Sequence, residues 1–193
     1  MIQIIRFTAL QQTPWKNGGG TTREIAIARA ADALIWRLSI ADVGVDGPFS
    51  KFDGLRRILT VIDGHGMELI GPHETLQANY AVPLSFDGAL EIHSRLKDGP
   101  LRDLNLIYNP ALCTGRAQMM VGYSRHSIEA KFGQIIALHC IRGSISLGDI
   151  GQLHQGDTAL IDGDAIHYTL AEGASALLIS IQTVANNCVM AER

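Results

Sequence analysis

Cysteine is scarce in this chain. Cys113, Cys140 and Cys188 are the only three, they lie far apart, and no Cys-x-x-Cys pair occurs. A sparse, odd count excludes a disulfide framework and fits a reducing compartment. Aromatic residues make up 6% and prolines number six. Concentrated basic charge is also missing. Sixteen Lys and Arg stand against 19 Asp and Glu, and no basic run exceeds Arg56-Arg57. Phosphate-backbone recognition needs a basic patch, so no nucleic-acid partner is expected. No apolar run approaches the ~18–20 residues of a membrane helix, so no membrane partner is expected either. The segment Met1 to Arg6 has no basic head with an apolar run behind it. That pattern predicts no secretory signal and a cytoplasmic protein.

What is present reads as β structure. The chain has 193 residues, 47% of them hydrophobic, which is enough for one large domain or two small ones. Its 20 glycines fall between short runs rich in Ile, Val and Leu. That is the rhythm of strands and turns. Trp36 to Val43 alternates, with Trp36, Leu38 and Ile40 on one face and Arg37, Ser39 and Ala41 on the other. Ile135 to Ile141 and Ala176 to Ile181 are continuous apolar runs that suit strands buried on both faces. Ala26 to Trp36 and Leu101 to Ile107 leave room for a turn or two of helix. The pattern also recurs. Val61-Ile62-Asp63-Gly64 resembles Cys140-Ile141-Arg142-Gly143, 79 positions later. Phe86-Asp87-Gly88 resembles Ile161-Asp162-Gly163 at an offset of 75. A repeat of this length suits two small antiparallel barrels rather than a solenoid. The crossover is expected within Asn109 to Gln118, which is too short and apolar for a flexible tether.

The densest polar cluster runs from Pro14 to Glu24, with Gly18, Gly19 and Gly20 at its centre. Three glycines let backbone amides approach a ligand, and Lys16 and Arg23 suit an anion; the alternative is a glycine bulge between strands. Neither a P-loop nor a Gly-x-Gly-x-x-Gly follows. Arg37 and Ser39 share one strand face, as do Asp103 and Asn105, and arginine is the natural bidentate clamp for a carboxylate. Asp46, Asp103 and Glu24 are acid/base candidates. The seven histidines show no His-x-His pair and no recognised ligand spacing, so no metal and no cofactor are expected. No Gly-x-Ser-x-Gly or His-Glu-x-x-His supports nucleophilic or zinc hydrolysis.

Pro14-Trp15-Lys16-Asn17-Gly18-Gly19-Gly20-x-Thr22-Arg23-Glu24-Ile25 resembles the signature of the HutD/Ves family. Trp36 to Ala41, Asp46-Gly47-Pro48-Phe49-Ser50, Phe52-x-Gly54, Arg57 and Asp103-Leu104-Asn105-Leu106 continue it. The resemblance is close over residues 13–108 and loose beyond. It implies an all-β bicupin of two fused jelly-roll (RmlC-like cupin) barrels, placed at residues 1–112 and 113–193. It also implies a ligand pocket in the first barrel. The residues carried over to that pocket are Trp15, Lys16, Asn17, Arg23, Glu24, Arg37, Ser39, Phe49, Ser50, Arg57, Asp103 and Asn105. Metal-binding cupins carry His-x-His and a downstream Glu ahead of the Gly64-type turn. Here Phe49-Ser50-Lys51-Phe52 occupies that stretch, and a metal-free pocket follows.

The family is associated with histidine utilisation and, for Ves, with stress responses; the resemblance implies no defined reaction. The reading is a non-enzymatic binder of a small anionic metabolite, with a regulatory role. Urocanate, N-formylglutamate and formate are the candidate carboxylates. A metal-independent isomerase or hydrolase using carboxylate acid/base chemistry is the alternative. An interaction platform forming a homodimer is a third reading.

Overall fold

The computed structural model describes residues 1–184. Nineteen strands and two single-turn 3₁₀ segments, Phe7–Ala9 and Gly148–Ile150, account for its regular structure. The strands are β1 (Ile2–Ile5), β2 (Gln12–Pro14), β3 (Gly20–Ala30), β4 (Ala33–Val43), β5 (Gly47–Pro48), β6 (Arg56–Asp63) and β7 (Met67–Ile70). Then come β8 (Thr75–Ala78), β9 (Leu84–Asp87), β10 (His93–Leu96), β11 (Leu101–Tyr108), β12 (Cys113–Val121) and β13 (Ser124–Glu129). The last are β14 (Gln134–Arg142), β15 (Ser144–Ser146), β16 (Gln152–His154), β17 (Thr158–Asp162), β18 (Ala165–Leu170) and β19 (Ser175–Thr183). The fold is all-β, as expected. The two stretches that left room for helix are strands: Leu101 to Ile107 lies in β11, and Ala26 to Trp36 spans β3, a tight reversal at Ala31 and the start of β4. Apolar residues fill consecutive positions on both faces of β11 and at Leu34 to Trp36 of β4, which imitates a helical run in sequence.

Two compact units divide the described residues. One holds residues 11–113. It has a six-stranded sheet, β2-β3-β4-β11-β6-β9, and a four-stranded sheet, β5-β10-β7-β8. Ala41, Val43, Leu59, Val61 and Leu101 from the first sheet pack with Met67, Leu69 and Ala78 from the second. The sheets therefore face each other across one core, and the inner positions of each strand follow from the period of two.

The other unit holds residues 1–10 and 114–184. Its sheets are β1-β17-β14-β19-β12 and β13-β18-β15-β16. They enclose Ile136, Leu138, Cys140, Ile161, Ile166, Tyr168 and Leu170. The division departs from the expected 1–112 and 113–193 at the N-terminus. β1 pairs with β17, Ile2 opposite Ile161 and Ile5 opposite Thr158, so the first ten residues belong to the C-terminal unit. Ile2 and Ile4 supply the apolar contacts, and Arg6 bonds Asp157 at 2.6 Å. The expected crossover is also mostly strand, since β12 begins at Cys113.

The recurrence in the sequence has a register behind it. Gly64 ends β6 and Gly143 ends β14, both with positive φ (91° and 76°). A Cβ on Gly64 would meet Leu101, at the start of β11; a Cβ on Gly143 would meet Ala174, just before β19. Each pairing carries an irregularity at the same place, at Arg102/Asp103 and at Cys140/Arg142. Strands β6, β9 and β11 thus correspond to β14, β17 and β19.

Candidate functional site

On β4, β6 and β11 the inward positions include Ala41, Val43, Leu59, Val61 and Leu101. By the same parity Ser39, Arg57, Asp103 and Asn105 also point inward, in an otherwise apolar core. All four are buried, Asp103 completely. Arg57 Nη2 donates to Asn105 Oδ1 at 2.7 Å, and Asn105 Nδ2 donates to Asp103 Oδ1. The result is a polar chain along the inner face, Arg57 to Asn105 to Asp103.

Both ends of the chain are incomplete. Arg57 Nε and Asp103 Oδ2 are buried and have no hydrogen-bond partner. Buried polar atoms are rarely left so, and each one needs a reason. The guanidinium lies instead against aromatic rings, 5.0 Å from Phe49, 5.5 Å from Phe52 and 5.2 Å from Phe86. Burial pushes the Arg57 pKa down to about 10, with Asp103 opposing, so the cation persists at neutral pH. Burial pushes the Asp103 carboxyl up to about 7; Arg57 opposes this and Asp42 adds to it.

At the rim, Arg37 stands across Ile107 from Arg57 on the inner face. Its Nε donates to Glu24 Oε2 at 2.8 Å, and both side chains are partly exposed. Glu24 is brought to that face by its register opposite Ser39, just before the irregularity between Glu24 and Ala26. Arg23 is a correction to the expected pocket. It lies opposite Ile40, on the other face of the sheet, and pairs with Asp42. Asp42 also accepts from Arg102 at 2.7 Å and from Thr21 at 3.3 Å. Burial works against ionisation of Asp42, yet Arg23 and Arg102 hold its pKa below the ordinary value. Adjacent residues on a strand point to opposite faces, so Arg23 and Glu24 cannot both reach one pocket.

The glycine-rich segment forms a turn. Gly18 N donates to the Trp15 carbonyl at 3.0 Å and Gly19 N to Asn17 Oδ1 at 3.1 Å. Those two amides are therefore committed within the loop. A Cβ on Gly20 would strike the Asp42 carbonyl and the Trp15 ring, whose Nε1 donates to Thr22 Oγ1 at 2.7 Å. Trp15, Asn17 and Gly19 line a cavity of about 140 Å³ with Val45, Pro48 and Ser94. Arg57, Asn105 and Asp103 do not line it. Phe49, which follows Pro48, stands against the guanidinium. Lys16 and Ser50 are exposed on loops. Asp46 Oδ1 accepts from Leu96 N at 2.8 Å, a structural role apart from Glu24 and Asp103.

Phe52 and Phe86 were not among the expected pocket residues. Phe52 comes from the loop before β6, and Phe86 lies opposite Arg57 in the β6–β9 register. The alternation Leu84, Phe86 carried a signal for the second, and the Phe52-x-Gly54 part of the family signature carried one for the first. Among the described residues no group of three or more His, Cys, Asp or Glu is arranged to hold a metal ion. Cys113 and Cys140 are buried free thiols that burial pushes up to about 11; Cys188 lies outside the described residues.

The corresponding positions of the C-terminal unit are apolar. Ile136 stands where Arg57 does, opposite Ile161 as Arg57 is opposite Phe86. Ala176 opposes Cys140 as Asp103 opposes Val61, and Leu178 opposes Leu138 as Asn105 opposes Leu59. All three belong to the apolar packing of their unit. The polar chain is a property of the N-terminal copy.

The fold and the site define an all-β protein of cupin-like fold, divided into two compact units, with a buried, incompletely satisfied polar chain in one of them. The HutD family model matches residues 8–179, and the chain belongs to the HutD family. It is 40% identical over 129 residues to an uncharacterised 21.2 kDa Pseudomonas putida protein in the hutC 3′ region, covering 64% of this chain and 67% of that protein. It is 31% identical over 140 residues to protein Ves of Citrobacter koseri, covering 70% of each. HutD from Pseudomonas fluorescens SBW25, solved in a formate condition, has a similar structure, with TM-score 0.82 and 33% identity over 96% of this chain and 100% of that one. YhhW from Escherichia coli shares the fold at 10% identity, with TM-score 0.66 over 93% of this chain and 97% of that one. No helix among the described residues is long and apolar enough to cross a membrane.

Proposed function

We propose that this chain is a non-enzymatic receptor for a small carboxylate, held at Arg57, with a regulatory role in histidine catabolism or the stress response. The observation that carries the reading is the buried Arg57, whose Nε has no partner and whose hydrogen-bonded neighbour is a neutral amide. A carboxylate supplies the acceptor and the charge that such a guanidinium favours. Phe49 and Phe52, half-buried on the loop before β6, give the ligand apolar walls. A few placed polar groups among apolar ones is the usual design of a small-molecule site. The names of the relatives support the pathway: one is placed by the hutC 3′ region, and another is a HutD solved in a formate condition. Formate, urocanate and N-formylglutamate are the ligands to test, in a cytoplasmic protein that works as a monomer or a homodimer.

A ligand that binds only the native state stabilises it by about 2.7 kcal/mol at 100 times its dissociation constant. Thermal unfolding with each carboxylate should therefore show a saturable rise in Tm. Arg57→Lys keeps the charge but loses the planar fork, and should weaken binding by roughly tenfold or more. Arg37→Ala, which removes a rim arginine already paired with Glu24, should weaken it less. No Tm shift with any of the three at millimolar concentration would overturn the reading. The near-neutral Asp103 also suits a general base, so the enzyme reading has one observation in its favour. Turnover of any of these compounds by the pure protein would establish it.

A further inference from the structure

The polar chain has two open ends of opposite kind. Arg57 Nε is a donor without an acceptor, and Asp103 Oδ2 is an acceptor without a donor. With Asp103 ionised, above about pH 7, the site is neutral, one cation and one carboxylate joined through Asn105. A carboxylate arriving at Arg57 would add a second negative charge to this buried inner face. Two carboxylates sharing one desolvated cation cannot both stay ionised cheaply.

We propose that a carboxylate entering this site is taken up together with one proton, which comes from solvent and rests on Asp103 Oδ2. This rests on the reading of Arg57 as the carboxylate anchor. The balance is simple. One O–H bond forms on Asp103, no other covalent bond changes, and the site carries zero net charge before and after. The protonated Oδ2 becomes a donor, so the open acceptor is converted into the group that a second carboxylate can accept from.

The groups around Asp103 favour this outcome. Arg57 on β6 is the cation on the same inner face. Asp42, at the neighbouring position of β4 and on its other face, adds negative charge. Glu24 on β3 is paired with Arg37 at the rim. The facing sheet turns Met67, Leu69 and Ser94 inward, none of which titrates. The free carboxyl titrates near pH 7, so a proton is available at modest cost under neutral conditions.

Formate and N-formylglutamate test this, because neither has a group of its own that titrates near neutrality. Calorimetric titration at about pH 8 in buffers of different ionisation enthalpy should show uptake approaching one proton per ligand. Apparent affinity should fall roughly tenfold per pH unit above about pH 7. Asp103→Asn should abolish the uptake and flatten that profile. The wild-type measurement stands without the variant, should the variant fold poorly. Binding with buffer-independent heats and a flat profile would overturn the proposal and leave the carboxylate reading in place. Proton uptake that persists in Asp103→Asn would also overturn it, by placing the proton elsewhere. No binding of either probe, nor of urocanate, would overturn both.

Discussion

Asp103 shows how strongly a single position is governed by its surroundings. It has one donor, Asn105, and no exposure to water, so burial raises its pKa well above an exposed carboxylate's. The sign of the stability effect follows from linkage. Between about pH 4 and pH 7 the folded state holds the proton more tightly than the unfolded chain, so stability falls as pH rises through that window. Below the window the penalty is absent, and above it the penalty is complete. Asp103→Asn removes that slope, whatever it does to absolute stability by leaving Arg57 without a counter-charge. Urea unfolding of both proteins across the window should give a stability difference that drifts in favour of the variant by a few kcal/mol as pH rises. A constant difference would place Asp103 among ordinary carboxylates. Arg23 and Glu24 make the complementary point. Both are charged and adjacent, yet one joins Asp42 on one face and the other joins Arg37 at the barrel rim. Alternation predicts that split once β3 is known to be a strand; in the bare sequence the segment reads as one continuous motif.

At the scale of elements, two turns repeat one solution. Gly64 and Gly143 each reverse the chain with positive φ, and a Cβ at either would press on the segment that returns beside it, Leu101 or Ala174. Alanine at either position faces both a strained backbone and an overpacked contact. Gly64→Ala and Gly143→Ala should each cost on the order of 1–3 kcal/mol, in similar measure. Chemical denaturation of the two variants checks this. A large cost at one and none at the other would mean that the turns are not equivalent. This correspondence was legible in sequence as two short matches. The helix-like readings of Ala26 to Trp36 and Leu101 to Ile107 failed for a related reason. Strands β4 and β11 are buried on both faces, so apolar residues fill the positions that would otherwise be polar and mark a period of two.

At the scale of the molecule, the chain crosses its own repeat. The first ten residues leave the N-terminal copy and complete a sheet of the other. Ile2 and Ile4 pack on that unit's core, Phe7 lies against Gly156, and Asp157 accepts from Arg6, Phe7 N and His154 N. Burial alone would raise the Asp157 pKa, but these donors hold it below the ordinary value. Removing residues 1–10 takes away two partly buried isoleucines, worth up to about 1.5–3 kcal/mol each, and leaves β17 as a bare edge. The truncated protein should unfold at clearly lower temperature, with the C-terminal unit losing its amide protection first in hydrogen exchange. Unchanged protection there would show that β1 is dispensable. The two copies have also diverged in their interiors. Arg57, Asp103 and Asn105 in one correspond to Ile136, Ala176 and Leu178 in the other, so a polar chain runs through one core where the other has apolar packing.

Strand content, internal duplication and the residues of the polar chain are all legible in the amino-acid sequence itself. Glycine spacing, two-residue alternation and the recurrence near Gly64 and Gly143 are local properties of the chain, and local properties survive in sequence. The sequence could not show that Arg57 is boxed by Phe49, Phe52 and Phe86, or that Asn105 links it to Asp103. Nor could it show that β1 belongs to the far half. Those facts depend on which strands become neighbours and in what register, and register is set by the burial of whole faces at once. Arg57 and Asp103 lie 46 positions apart in the chain and meet only because β6 and β11 pair. Their burial, and so the unsatisfied donor and acceptor between them, exists only once the two sheets have closed on a common core.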